Sequence, residues 1–440
     1  MTHATTCILG GGVTGLAAGY ASGGTVFEAA PVPGGICSSY YVRPGETERT
    51  YEAPEDGEAY RFEVGGGHWI FGGDPAVLRF LAGLVPLRFY ERKSSVYFAE
   101  EERYEPYPLQ NHLSYLGPQR AAAILEEMLA PPQRRPATMA EWLEANFGRT
   151  LSDAFFDPFH ERYTAGLWRE IAPQDPYKSP VRREQVVRGA LGATEAAGYN
   201  LTFCYPVAGL DALTRRLAAR STVRYGRRAV RIDADRKVVH FADGSDVSYE
   251  VLISTVPLHL TMEMAGVQMS EAPDPHTSVL VLNIGARRGE RCPDAHWVYV
   301  PDSRSGFFRV GFYSNVDLDF LPLGLRAAGD RVSLYVERAY RGGEVPTEQE
   351  RAYYARSVVA ELQAWRFIED VEVLDPTWID VAYTWSRPGS TWSTQAGAAL
   401  ERKDIVMAGR YGRWKFQGIA ESIQEGFVIG STVRESDVRE

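Results

Sequence analysis

Residues 7 to 28 read as a strand, a glycine turn, a helix and a second strand ending in an acid, an order that few architectures accommodate. The apolar run Cys7-Ile8-Leu9 predicts a buried strand, and Gly10, Gly12 and Gly15 supply the Gly-x-Gly-x-x-Gly turn that opens a helix at Val13. Glycines let the backbone approach a diphosphate, and the helix start offers unpaired N–H groups and a positive dipole end. Gly10, Gly12, Val13, Thr14 and Gly15 are therefore placed against such a group. Thr25-Val26-Phe27 predicts the second strand, and the Glu28 carboxylate after it suits a ribose diol. A plain strand-to-helix turn would show the same glycines. Position, strand, spacing and acid together point to a dinucleotide. The helix is short, because Gly23-Gly24 follows soon after Gly15.

With 440 residues and 45% hydrophobic content, the chain has material for two or three cores, which predicts several domains. No apolar run reaches the about eighteen residues of a membrane span, and the first strand begins almost at once, so a soluble cytoplasmic protein without a leader is expected. Cys7, Cys37, Cys204 and Cys292 are widely separated, which predicts neither a metal site nor a disulfide framework. A formal charge of -10 disfavours a nucleic-acid surface, so an anionic ligand must be held by local arginines.

Asp74-Pro75 predicts a helix start. Residues 117–130 place Ala121, Ile124, Leu125, Met128 and Leu129 at helical spacing, and the prolines of 131–136 end that run. Thr138 to Glu141 is a capping box. A further helix is predicted over 210–219, a hairpin over 229–243 turning at Asp243-Gly244, and a buried strand over 251–255. From 275 to 395 short apolar or alternating runs predict an antiparallel sheet, interrupted by an amphipathic helix over 347–362.

Pro33-Gly34-Gly35, Phe62 to Gly65-Gly66-Gly67-His68, and Ile405-Val406-Met407-Ala408-Gly409-Arg410 resemble the FAD-binding fold shared by amine oxidases, protoporphyrinogen oxidases and UDP-galactopyranose mutases. That resemblance implies FAD as the dinucleotide. It adds Gly34, Gly35, Gly66, Gly67, His68, Ala229, Gly409 and Arg410 to the cofactor residues, with Arg410 facing the pyrophosphate. The expected fold class is α/β, a Rossmann-like FAD domain built from discontinuous segments (1–80, 201–270 and 401–440). A mainly helical insertion (81–200) and an antiparallel-sheet substrate domain (271–400) complete it.

Four further stretches, Gly67-His68-Trp69-Ile70-Phe71, Tyr107-Pro108-Leu109-Gln110-Asn111, Trp297 to Pro301 leading to Arg309, and Gly409 to Trp414, are similar in order to the eukaryotic-type branch of the UDP-galactopyranose mutase family. The similarity implies that His68 packs beside the flavin ring, that Tyr107 and Gln110 hold a uracil, and that Phe71 lines the pocket. An aromatic face and an amide suit a planar base, although a core tyrosine and a capping glutamine would look alike. It implies a diphosphate gripped by Arg309, by Arg182 or Arg183, and by Tyr299 and Tyr383; guanidinium forks suit phosphate oxygens. A surface arginine is the plain alternative at each position. Phe416 stands where a third tyrosine is expected and lacks its hydroxyl. His160 and Thr164 occupy positions that are asparagine and tryptophan in the family. Asn200 either replaces a sugar-contacting asparagine or caps a turn.

The resemblance implies an isomerase: a mutase that interconverts pyranose and furanose forms of a UDP-sugar, with reduced FAD as nucleophile at the anomeric carbon and no net redox change. NAD(P)H is one candidate for the reductant, which the sequence does not name. The alternative is an FAD-dependent oxidase or desaturase of the protoporphyrinogen or amine oxidase type. A third is a catalytically idle nucleotide-sugar binding protein.

Overall fold

The computed structural model describes residues 2–130, 135–174, 182–192 and 201–437, with 435–437 described by their backbone alone. Strand Thr2–Leu9 lies between two parallel neighbours, Thr25–Phe27 and Asp246–Ser254, with Ile8 opposite Val26 and Ile253. Thr222–Arg224 extends this sheet in parallel at one edge. On the other side Ile405–Met407 pairs in parallel with the C-terminal part of Asp246–Ser254. Cys7, Ile8, Val26, Leu252 and Ile253 are completely buried, as strands covered on both faces require. Leu9, Phe27, Ser254 and Met407 end together in register, and that common C-terminal edge is where ligands settle in such sheets.

The helix after the glycine turn spans Val13–Ser22 and stops at Gly23, whose φ of 75° lets its N–H return to the Gly19 carbonyl. A Cβ on Gly15 would lie 1.9 Å from the Gly10 carbonyl oxygen, so this glycine makes the turn possible rather than touching a ligand.

A second seven-stranded sheet runs in the order Ile368–Thr384, His276–Arg288, Arg331–Arg341, Arg309–Phe312, Trp297–Tyr299, Ser94–Phe98, Arg103–Pro106. Side chains alternate along its central strands. Leu280, Leu282, Val298, Val310 and Val336 pack with Val358 and Leu362 of the helix Glu348–Ala364, while Val279, Val281, Trp297, Tyr299 and Tyr335 turn the other way and join the largest core.

Three expectations change. The stretch read as mainly helical over 81–200 opens with strands Leu87–Glu91, Ser94–Phe98 and Arg103–Pro106 before its helices begin. Their partners are remote: Leu87–Glu91 pairs with Thr202–Pro206, and Ser94–Phe98 with Trp297–Tyr299. That last pairing is parallel, so the second sheet is not wholly antiparallel. Residues 229–241 form two strands and not one, Ala229–Asp233 paired with Val238–Phe241, while the turn at Asp243-Gly244 forms as read and joins Val238–Phe241 to its antiparallel neighbour Asp246–Ser254. The caps form as read: Asp74 accepts from the Ala76 N–H at 2.7 Å, and both hydrogen bonds of the Thr138–Glu141 box are present. Among the described residues no helix is long and apolar enough to cross a membrane, and no group of three metal-ligating side chains gathers.

Candidate active site

A cavity of about 650 Å³ is lined by residues from the C-terminal edge of the first sheet and from the inner face of the second. That is the size of a pocket for a large organic ligand. At one end lie Gly10, Gly12, Val13, Thr14, Gly34 and Gly35. The Gly34 N–H donates to the Gly11 carbonyl at 2.8 Å, which fastens the second glycine pair onto the first turn. A Cβ at Gly12 would meet nothing within 4 Å, so the backbone there is open to an incoming group. Glu28 accepts the N–H of Gly11 at 2.5 Å and of Ala30 at 2.7 Å. Thr255, the residue after strand Asp246–Ser254, donates to the Leu9 carbonyl at 2.9 Å and closes this end beside Gly10.

At the other end Tyr299, Arg309 and Glu337 stand abreast on three adjacent strands, Tyr299 opposite Arg309 and Arg309 opposite Glu337. The guanidinium binds both carboxylate oxygens of Glu337, through Nη2 to Oε1 at 2.7 Å and through Nε to Oε2. The Tyr107 ring lies 4.6 Å from that of Tyr299, and Phe71 and Tyr383 complete this part of the wall. Arg410 donates to the Ala382 carbonyl at 3.0 Å, sits 4.5 Å above the Phe416 ring, and has a buried Nε with no partner among the described residues. His68 lines the same cavity, within electrostatic reach of both arginines. Burial, then Arg410, then Arg309 hold its imidazole down to about 4, so it is neutral near pH 7.

Several expected residues lie elsewhere. Gln110 is completely buried in the turn Leu109–Asn111 and does not line the cavity. His160 is buried and turns back along its own helix, Nδ1 to the Phe156 carbonyl at 2.7 Å. Thr164 caps the same helix through the His160 carbonyl at 2.7 Å. Arg182 and Arg183 are exposed at the start of the helix Arg183–Ala190, outside the lining. Asn200 lies outside the described residues. Of the cofactor set, Gly15, Gly66 and Ala229 do not line the cavity either. Gly66 presses against Glu337, and Ala229 opens an edge strand. Glu337 and Tyr335 are the main residues that sequence reasoning missed. Both belong to the inward set of an alternating strand, a pattern that marks a face but not what shares it.

The glycine cradle, Glu28 and a buried unpartnered arginine nitrogen fit a dinucleotide such as FAD. A family model described as flavin containing amine oxidoreductase matches residues 23–426. The chain belongs to that family. FAD is its cofactor. Among solved structures, a reduced UDP-galactopyranose mutase superposes with a TM-score of 0.80 at 21% identity, covering 98% of this chain and 96% of that one. A protein from Exiguobacterium sp. 255-15, provisionally assigned as a protoporphyrinogen oxidase, gives 0.67 at 14% identity over 99% of both chains. Putrescine oxidase bound to putrescine gives 0.57 at 17% identity over 98% and 99%. At these identities the likeness establishes the fold.

Within this family member, Glu28→Ala is expected to purify with less FAD, because the Gly11 and Ala30 N–H groups lose their acceptor and the turn loosens. The ratio of flavin to protein absorbance measures it, and an unchanged ratio would remove Glu28 from cofactor retention.

Proposed function

We propose that the protein is a flavin-dependent nucleotide-sugar mutase that interconverts pyranose and furanose forms of a UDP-sugar with no net redox change. What carries the reading is that Tyr107, Tyr299, Arg309 and Tyr383, from three remote stretches, face one cavity together with the glycine turn and Glu28. The likeness to a UDP-galactopyranose mutase over the whole chain agrees with it.

Gly10, Gly12, Val13, Thr14, Gly34, Gly35 and Glu28 would hold the cofactor's adenine half, with Arg410 at the pyrophosphate and Gly67, His68 and Gly409 toward its ring. Bound in reduced form, FAD supplies a nucleophilic ring nitrogen. The chain's own residues then bind and orient. Tyr107 stacks on the base, and Tyr299, Tyr383 and Arg309 hold the diphosphate as it gains charge on departure. Arg309 has two nitrogens committed to Glu337, which leaves Nη1 for a phosphate oxygen. Neutral His68 has one donor and one acceptor nitrogen and is not a proton donor of the imidazolium type.

The second reading is an FAD-dependent oxidase or desaturase. It is favoured by the committed Arg309 fork, by the exposed positions of Arg182 and Arg183, and by the oxidase-like structures at lower TM-scores. Protein reduced with dithionite or NAD(P)H and given UDP-sugars is expected to form furanose isomers without consuming stoichiometric reductant or oxygen. Oxygen uptake matched to product would overturn the mutase and favour the oxidase.

A further inference from the structure

We propose that Glu337 is a positioning residue that sets the edge Arg309 shows to the substrate diphosphate, an inference that rests on the nucleotide-sugar reading. Three observations meet at this carboxylate. Glu337 lies directly opposite Arg309 across adjacent antiparallel strands, so the backbone register itself aligns the two side chains. Both are nearly covered, Arg309 with 16% and Glu337 with 4% of the side chain exposed, so the pair is little screened by solvent. Both carboxylate oxygens are occupied by Nε and Nη2, a two-point contact that stops the planar guanidinium from rotating about its long axis.

One nitrogen remains. Nη1 has no partner among the described residues, and Arg309 lines the cavity. A lysine-like point charge there would attract a phosphate from any direction, whereas a guanidinium clamped along one side presents a single direction to one oxygen. Glu337 also cancels the charge of Arg309. An unneutralised buried cation would hold a nucleoside diphosphate tightly before and after reaction, and tight binding of ground state and product adds nothing to turnover. The clamp therefore exchanges affinity for orientation.

Glu337 touches a third element. A Cβ on Gly66 would lie 2.9 Å from Oε1, so the glycine loop leading to His68 packs against the carboxylate that aims Arg309. The wall on the flavin side and the diphosphate arginine are thus referred to one group. Glu337 also lines the cavity, with both of its carboxylate oxygens taken by Arg309.

The test is a double-mutant cycle on flavin-loaded protein, read by turnover of a UDP-sugar, by the Kd of UDP and by flavin content. In Glu337→Gln the side-chain oxygen can keep one guanidinium bond while the amide N–H₂ opposes the other. The expected result is a fall in kcat of tenfold or more with UDP binding no weaker than in the parent and flavin content unchanged. Glu337→Asp keeps the charge and should recover part of the loss. In Arg309→Ala, adding Glu337→Ala should cost no further turnover and should restore thermal stability, because the carboxylate acts only through the arginine. If the two losses multiply, or if Glu337→Gln turns over within twofold of the parent, the assignment is overturned. Should Glu337→Gln fail to hold flavin, Glu337→Asp and the Arg309→Ala pair decide. A parent protein that neither binds UDP nor isomerises a UDP-sugar refutes the nucleotide-sugar reading. A parent that does both, with unaffected Glu337 variants, refutes only this inference.

Discussion

Arg309→Ala is expected to lower kcat/KM for a nucleotide-sugar by about one to two decades, since a hydrogen bond from a charged donor contributes roughly 1.5 to 3 kcal/mol. The same variant is expected to melt earlier. Removing the guanidinium strands Glu337, a residue only 3% exposed, and breaking a buried ion pair from one side typically costs about 3 to 5 kcal/mol. Two losses with different origins should therefore appear together. Arg309→Lys keeps a cation beside Glu337 and should recover most of the stability, but only part of the activity, because an ammonium cannot bind both carboxylate oxygens and still show a fixed edge to the cavity. Thermal melts and steady-state rates at matched flavin content separate the two effects. An alanine variant equal to the parent in both would make Arg309 an ordinary sheet residue.

Glu63→Gln is expected to stabilise the protein at pH 8 and to leave it nearly unchanged at pH 4.5. Glu63 is completely buried on strand Tyr60–Glu63, where Oε1 accepts from Ser39 at 2.8 Å and from Tyr205, while Oε2 has no partner among the described residues. Burial pushes its carboxyl up to about 7, against the opposing pull of Tyr205, Arg61 and Ser39; Asp211 adds to the rise. The sign is the reverse of a salt-bridged acid. Between the ordinary carboxyl value of 4.5 and 7 the unfolded chain releases this proton and the folded chain keeps it, so stability falls as pH rises through that window and then levels off. At about 1.4 kcal/mol per pH unit the deficit reaches about 3 kcal/mol. Glutamine keeps the acceptor for Ser39 and Tyr205 and has no proton to lose. Denaturant midpoints of both flavin-loaded proteins across this range should diverge with rising pH. Parallel curves would mean that Glu63 is not the group that titrates.

The nearby sequence was enough wherever the physics is local. Gly10, Gly12 and Gly15 are dictated by a turn that closes on itself within six residues, and the 1.9 Å approach of a Gly15 Cβ to the Gly10 carbonyl shows why no other residue serves. The Asp74 cap and the Thr138–Glu141 box belong to the same class, since donor and acceptor lie within one helical turn. The short apolar or alternating runs likewise announced the strands of the second sheet, although the facing of Tyr299 and Arg309 across two of them depends on register.

Tertiary structure decided whatever depends on register between distant segments. The Arg309–Glu337 pair needs strands 28 positions apart in exact opposition, and a slip of one residue would send either side chain to the other face. Ser94–Phe98 becomes a strand beside Trp297–Tyr299 because an open sheet edge about 200 residues away satisfies its backbone, a partner no local pattern reveals. Gln110, His160, Arg182 and Arg183 carry suitable chemistry in suitable order. Two of them are turned into the interior and two stand at an exposed helix start, because the packing of their own turns and helices, and not residue type, determines which side chains reach the cavity.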